Sequence, residues 1–405
     1  MIWKKMYGIN HAKNVDFIII VMLVLSLLGA IARSPLFFLL TGIFATHLFI
    51  SKYYVKKIEK QLILENPKVK IKLFPGEVST VAFHFQNQSL FPLLNGELQF
   101  RTGPAIKTIE QHNYHKNYWK VIKIFASLYS HRKMSIDIPI MAEQRGTTRL
   151  HEIMYSFPHL FMFDTVSLLY SKNFQTEIIV FPKPLPVHGM ETVFYQNSGE
   201  QRVKFSPIED IQSPLGTRDY QFSDPFHRIN WKASAKTQKL QTNVYEKTAD
   251  MSFVFIVNLT VENKLNLSHF NENLETLLSY TSFLCQYALE NGFPYEVYIN
   301  ARKSGKVPYF HIPEGEGKGH YLQSQEMLAR IERQTAIVSF NEMLHRVGQQ
   351  LSKPKTLVII GETPAEFSET IRHWKRRQGA IFHLKNTGDG ATIRPWIEGV
   401  KQLAQ

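Results

Sequence analysis

Acid, base and cation crowd one stretch of this chain. Between Leu215 and Lys236 the sequence reads Leu-Gly-Thr-Arg-Asp-Tyr-Gln-Phe-Ser-Asp-Pro-Phe-His-Arg-Ile-Asn-Trp-Lys-Ala-Ser-Ala-Lys, which sets Arg218, Asp219, Asp224, His227 and Arg228 beside Tyr220 and Trp231. Three kinds of work suit such a set. Carboxylates and an imidazole can exchange protons with a substrate. Guanidinium groups can clasp carboxylates in bidentate fashion while the rings pack. The segment can also present a docking surface. No nucleophile with an evident base accompanies these residues, so we expect a clasp or a docking surface and no catalytic residue. An enzyme of unknown reaction using residues 218–231 is the alternative.

A second stretch, Asn258-Leu259-Thr260-Val261-Glu262, offers oxygens at alternate positions. A hard divalent cation needs closely spaced oxygen ligands with at least one carboxylate. Asn258 and Thr260 are neutral and only Glu262 carries charge, so magnesium should bind poorly and no metal is expected. His112, His115 and His131 lack a metal-ligand spacing. No P-loop, Gly-x-Ser-x-Gly, His-Glu-x-x-His or dinucleotide fingerprint occurs, and no cofactor is expected. The single cysteine, Cys285, rules out an intrachain disulfide and a cysteine-built zinc site; it falls in a helical run and reads as a small buried hydrophobe.

These stretches need elements to hold them. Residues 252–259 form a continuous apolar run, as in a strand buried on both faces. Further strands are predicted at 295–299, 356–360 and 380–384, alternating with helices at 274–289, 320–333, 339–351 and 364–377. That alternation is the pattern of a doubly wound α/β domain over 251–405. Gly315, Gly317 and Gly319 suggest a flexible loop. Upstream, short runs at 69–74, 79–85, 97–101, 134–140, 148–155, 165–169 and 177–181, separated by turn residues, predict a β-sandwich over 61–186. Residues 103–133 fit less well and read as an insertion or a membrane-facing loop. Alternating prolines at 182–186 mark a boundary, and 187–250 reads as a linker carrying the 215–236 stretch.

Residues 17–32 are uncharged, and after Arg33 a second uncharged run covers 34–51. With Pro35 opening the second run, residues 1–60 read as a two-helix transmembrane hairpin with basic flanks. Lys4, Lys5 and Lys13 precede it and Lys52, Lys56, Lys57 and Lys60 follow it, which places both termini and the folded domains in the cytoplasm. No small-residue cleavage pattern follows the first run, against a signal peptide. Of the formal +13 charge, the excess of ten basic over three acidic residues in 1–70 supplies most. This favours an anionic membrane as partner and gives the folded part no nucleic-acid stripe.

The 215–236 stretch resembles the signature of the bacterial "domain of unknown function fifty-eight" family, in which an Arg-acid-Tyr triplet is followed by Gly-Asp, then Arg, Ile and Trp, and a small-residue Ala-Arg ending. Arg218, Asp219, Tyr220, Asp224, Arg228, Ile229, Trp231 and Ala235 match, whereas Ser223 replaces the usual glycine and Lys236 the usual arginine. The resemblance implies a membrane-anchored multidomain protein with a hairpin, a sandwich and a von Willebrand A-like end. In intact von Willebrand A domains Asp-x-Ser-x-Ser holds the metal; Asn258, Thr260 and Glu262 stand there, so the site looks degenerate. The resemblance also implies a MoxR-type AAA+ ATPase partner and allows a transglutaminase-like membrane protein. The expected function is a membrane-tethered, non-catalytic scaffold or adaptor in the assembly or remodelling of envelope complexes. A lipid-surface or adhesion module is a further alternative.

Overall fold

Sixteen uncharged residues reach about 24 Å as a helix, and the chain builds two such rods side by side. The computed structural model describes residues 2–7, 9–109, 114–116, 119–160, 164–190, 193, 209–222, 224–247, 252–262, 268–302, 308–351, 355–363, 368–377, 380–386 and 390–396. Strand β1 (Trp3–Tyr7) leads into helix α1 (Ile9–Ala32), and helix α2 is Pro35–Gln61. Between the helices Arg33 takes a φ of +48° and Ser34 is extended, so Pro35 enters α2 in its first turn. Gly29 lets the rods close: a Cβ there would lie 3.1 Å from Phe37 Cβ and from the Phe38 ring. Large apolar side chains stand exposed along both, among them Phe17, Leu23, Leu27, Ile31, Leu36, Leu39 and Phe49. Both helices are long and apolar enough to cross a membrane. At Ser51 α2 changes character without ending. Ser51, Tyr54, Val55 and Ile58 are buried, a spacing that puts them on one helical face against protein.

The chain divides into two units, Met1–Pro182 and Lys183–Gln405. In the first, the strands after α2 are β2 (Leu62–Leu64), β3 (Lys70–Leu73), β4 (Val78–Asn87), β5 (Glu97–Thr102), β6 (Ile106–Thr108), β7 (Tyr114–Lys116), β8 (Trp119–Phe125), β9 (Lys133–Ala142), β10 (Gly146–Arg149), β11 (His151–Pro158), β12 (Thr165–Tyr170) and β13 (Glu177–Val180). They form a six-stranded sheet in the order β1-β12-β11-β5-β8-β7, a four-stranded sheet β2-β4-β9-β6 and a small sheet β10-β13-β3. The two larger sheets pack face to face, with Phe83 of β4 5.4 Å from Phe100 of β5 and Phe85 of β4 5.7 Å from Tyr155 of β11 between ring centroids. β1 joins this core through Trp3, which is fully buried and donates from Nε1 to Leu62 O at 2.8 Å. Both ends of the helical hairpin are therefore fastened into one β-rich body.

Residues 103–133 differ from the insertion offered for them, because they supply β6, β7 and β8 to the two larger sheets; the connection after β8, residues 126–132, remains a loop. The alternation in β8 is disguised by Lys120, which takes an inward position and is neutralised by Glu143 while donating to Ile106 O at 3.1 Å. The run at 148–155 is two strands: the chain leaves β10 at Leu150, takes a φ of +48° at Glu152 and changes sheet.

The second unit contains β14 (Val187–His188), β15 (Glu209–Asp219), α3 (Trp231–Thr237), β16 (Gln241–Lys247), β17 (Phe253–Val257), β18 (Thr260–Glu262), β19 (Ser268–Phe270), α4 (Leu274–Glu290), β20 (Tyr295–Arg302), β21 (Tyr309–Gly315), α5 (Gly317–Ala329), α6 (Phe340–Gln350), β22 (Thr356–Ile360), α7 (Ser368–Arg377), β23 (Ile381–Asn386) and β24 (Ala391–Pro395). A seven-stranded sheet runs β14-β24-β23-β22-β17-β20-β21. β23, β22, β17 and β20 are parallel, β21 is antiparallel to β20 and β24 to β23, and β14 pairs parallel with β24. One face packs on α6 and α7 through Ile256, Leu344, Val347, Ile359 and Trp374. The other carries Phe253, Phe255 and Tyr295, the last bonded to Ser324 of α5 at 2.9 Å. The glycine run at 315–319 is the tight β21–α5 connection, with Gly317 at φ +81°, and not the loose loop expected.

Candidate functional site

The carboxyl ends of β17, β20 and β22 meet where helices leave the sheet on opposite sides, the position at which open α/β sheets hold ligands. Three residues with buried side chains, Asn258, Thr260 and Asn300, occupy it. Asn258 Oδ1 accepts from Thr260 Oγ1 at 2.7 Å, from Thr260 N at 3.1 Å and from Asn300 Nδ2 at 2.8 Å. Asn258 Nδ2 donates to Glu362 O at 2.7 Å, and Asn300 Oδ1 takes Leu259 N at 2.8 Å. Asn300 Nδ2 also reaches Thr260 Oγ1 at 3.0 Å. A divalent cation would need those oxygens turned inward with a negative charge among them; here amide and hydroxyl donors already engage each of them. The donor set does not fit magnesium. The side chain of Glu262 lies outside the described residues. Among the described residues no group of three His, Cys, Asp or Glu could hold a metal.

Beside this cluster, Gly361 has a φ of +99°, and a Cβ on it would meet Asn258 O at 2.2 Å. Gly361→Ala should destabilise the second unit by about 2–3 kcal/mol, combining a left-handed backbone strain with a backbone collision; a thermal melt of the full chain measures it. His383 donates to Gly361 O at 2.8 Å, and its burial holds the imidazole below its usual pKa and uncharged at neutral pH. The side chains described in this cluster, Asn258, Thr260, Asn300 and His383, are thus uncharged. Asn300 escaped the sequence reading, although it follows the apolar run of β20 as Asn258 follows that of β17.

The 215–236 stretch folds as part of a hairpin module and not as a simple linker. β15 pairs with β16, with Arg218 opposite Thr242 and Asp219 opposite Gln241. The connection runs through a short 3-10 turn at Phe226–Arg228 into α3. Asn230 caps α3 by accepting Ala233 N at 2.9 Å, and its Nδ2 donates to Asn243 at 2.8 Å. Gln241 N reaches Ser234 Oγ at 2.8 Å, tying the helix back to the strand.

Asp224 is the hub of the turn. Its Oδ1 accepts from Arg218 Nη2 at 2.7 Å, its Oδ2 from Gln221 N at 2.9 Å, and its carbonyl from Tyr220 OH at 3.2 Å. The Arg218 and Gln221 hydrogen bonds hold the carboxyl below its ordinary pKa. Asp219 accepts from Gln241 Nε2 at 2.6 Å. A clasp exists, single-pronged and local to the turn. With both oxygens committed, Asp224 is a poor general base.

Tyr220 packs on Phe226 at 6.0 Å between centroids. Trp231, expected to pack with it, instead stands 66% exposed, as do Phe226 at 74% and Phe222 in full. Ala235 and Lys236 are exposed and Arg228 is half-buried. From Pro225 to Leu240 the chain has Arg228, Lys232, Lys236 and Lys239 and no acidic residue. The module therefore holds an aromatic, cationic surface on a rigid turn.

No protein-family model matches the chain, and no curated protein sequence matches it. Among solved structures, a protein of Corynebacterium diphtheriae described as membrane anchored is 14% identical over 31% of this chain, with a TM-score of 0.21, and this chain covers 32% of its length, about a third. A cohesin module from Clostridium perfringens is 9% identical over 30% of this chain and 95% of that one, at a TM-score of 0.20. The native α2-macroglobulin of E. coli is 8% identical over 30% of this chain and 10% of that one, at 0.20. Likenesses of this size carry no inference about fold or function.

Proposed function

We propose that this chain is a membrane-tethered, non-catalytic scaffold or adaptor of the "domain of unknown function fifty-eight" kind, ending in a von Willebrand A-like domain without a metal. The observation that carries the reading is the contrast inside one turn. Arg218, Tyr220 and Asp224 are spent on holding the backbone, while Phe222, Phe226 and Trp231 are left outside. Exposed aromatics on a preorganised support, with a stretch at 225–240 whose charged residues are all cationic, suit a protein-docking hot spot. The partner implied by the resemblance is a MoxR-type AAA+ ATPase. The fastening of β1 and β2 into one body supports a hairpin that crosses the bilayer twice and returns to the same side, and the lysines flanking it favour the cytoplasm.

The test uses the full chain in lipid nanodiscs and a purified MoxR-type ATPase from the same organism. Binding should persist when magnesium is chelated. Trp231→Ala should weaken it about tenfold or more without moving the thermal midpoint. An ATPase that ignores the wild-type chain sinks the reading, and equal affinity for Trp231→Ala removes this surface from it.

A further inference from the structure

We infer that the end of the N-terminal unit from which the helical hairpin emerges is itself a membrane-contact surface, a collar of loop side chains that rests in the anionic headgroup region around the base of α1 and α2. The inference rests on the reading of these helices as a membrane hairpin.

The strand registers define the surface. Tyr7 lies opposite Val166, Thr165 opposite Pro158, Ser156 opposite Glu97, and Glu97 opposite Phe125. One end of the six-stranded sheet is therefore the row from which α1 departs. In the facing sheet Leu62 lies opposite Asn87 and Gln86 opposite Lys133, so α2 arrives at the same end. The connections there carry Leu90, Leu94, Phe125, Tyr129 and Leu160, with Leu90 70%, Phe125 81% and Leu160 56% exposed.

The loops that carry these side chains are held in place by their neighbours. Phe91 meets Tyr54 of α2 edge-on at 5.0 Å, and Leu93 and Leu128 bridge their two loops. Asn87 Nδ2 donates to Phe91 O at 2.9 Å, and Ser130 Oγ to Ser89 O at 2.8 Å. His159, next to Leu160, is 3.0 Å from Ser51 Oγ and 5.1 Å from Tyr54 between rings. Two of these loops thus pack on α2 at Ser51 and Tyr54, and Ser51 is the residue where the exposed apolar flank of α2 ends.

Length and charge identify the occupant. The uncharged stretch of α2 before Ser51, residues 35–50, spans about 24 Å as helix, short of a hydrocarbon core of about 30 Å. A sandwich pulled down until its collar sits among the headgroups makes up the difference, because the interfacial layers extend the bilayer well beyond the core. Lys52, Lys56, His131 and Arg132 are exposed at the same end, Lys133 is paired there with Glu65 at 3.7 Å, and Lys57 lies over the Tyr53 ring at 5.6 Å. Lysines and arginines interleaved with exposed rings and leucines suit an anionic lipid surface. A soluble partner would have to reach a face that the inserted hairpin already presses against the membrane.

The test labels the full chain, reconstituted in phosphatidylglycerol-containing vesicles, with an environment-sensitive dye at Leu90→Cys, Phe125→Cys or Leu160→Cys. Val78→Cys, 54% exposed at the other end of β4, is the control. Native Cys285 is buried and leaves the introduced thiols to react. The three collar positions should shift to the blue, be quenched by doxyl-labelled lipid and lose quenching by iodide, whereas position 78 should respond to iodide alone. If the chain floats with the vesicles and the collar positions behave like position 78, the collar is overturned and the hairpin stands. A chain that does not float overturns both.

Discussion

Replacing Asn300 by alanine should cost the second unit about 2–4 kcal/mol, because it leaves the buried Leu259 N without an acceptor, a loss of roughly 1–3 kcal/mol, and takes one of several bonds from each of two further buried oxygens. Leu259 N, Asn258 Oδ1 and Thr260 Oγ1 all bond to that side chain. Cys285 supplies the readout. It is fully buried in α4, and burial pushes its thiol up to about 12, so it reacts only when the unit opens. Labelling of the full chain in detergent should accelerate roughly a hundredfold in Asn300→Ala, in line with about 1.4 kcal/mol per decade. Using one thiol in one unit also avoids treating a two-unit chain as a single transition. Asn300→Asp should keep the bond to Leu259 N while turning a second oxygen towards Asn258 Oδ1 and Thr260 Oγ1. Magnesium should protect neither variant. A magnesium-dependent slowing of labelling would mean that this edge is a cation cradle and not a neutral lock across three strands.

How far these features can be read from sequence depends on whether a residue obeys the period of its element. β17 is five apolar residues buried on every side, and a run of that kind declares a central parallel strand. Asn258 is visible because it ends such a run; Asn300 is equally placed but lies outside the 258–262 alternation of oxygens, and its role depends on contacts 42 and 40 residues away in sequence. β1 was hidden by Lys4 and Lys5, which made Trp3–Tyr7 look like a basic flank; its pairing with β12 is a contact that no local pattern contains. The same is true of α2 after Ser51, where lysines mask a buried face. In the 215–236 stretch the residue types announced a clasp, and Arg218 and Asp224 do pair. Which aromatics would be left outside follows from the turn geometry, and residue types alone do not decide it. The family resemblance and the ATPase partner rest on the matched positions and on the proposed experiments.

At the opposite edge of the same sheet, acid should erode stability chiefly through one carboxylate. Glu296 of β20 is nearly buried and accepts from Tyr298 OH at 2.5 Å, pairs with His311 Nε2 at 2.7 Å and with Lys355 Nζ at 3.0 Å, while Lys355 also reaches Glu314 at 2.8 Å. Burial alone would raise the Glu296 pKa, but the hydrogen bonds from His311, Tyr298 and Lys355 outweigh it and bring the carboxyl down to about 2 from an ordinary 4.5. A carboxyl depressed in the folded state contributes stability that is complete above its unfolded pKa and is lost as pH falls through the folded one. The loss should therefore run from about pH 4.5 down to about 2 and amount to about 2–3 kcal/mol. Lys355 has the opposite sign: its pKa is raised by Glu314 and Glu296 against the lowering effect of burial, so its share of the same interaction persists until pH rises above 10.5. Glu296→Gln should flatten most of the acid limb of a Cys285 labelling profile, leaving a remnant from Glu314, whose carboxyl is also depressed by Lys355 despite partial burial. Lys355→Ala should be the more damaging change at neutral pH, by about 2–4 kcal/mol, because it leaves a nearly buried carboxylate short of its countercharge. If Glu296→Gln shows the wild-type acid limb unchanged, the ion pair contributes nothing net, and its desolvation cost cancels its attraction.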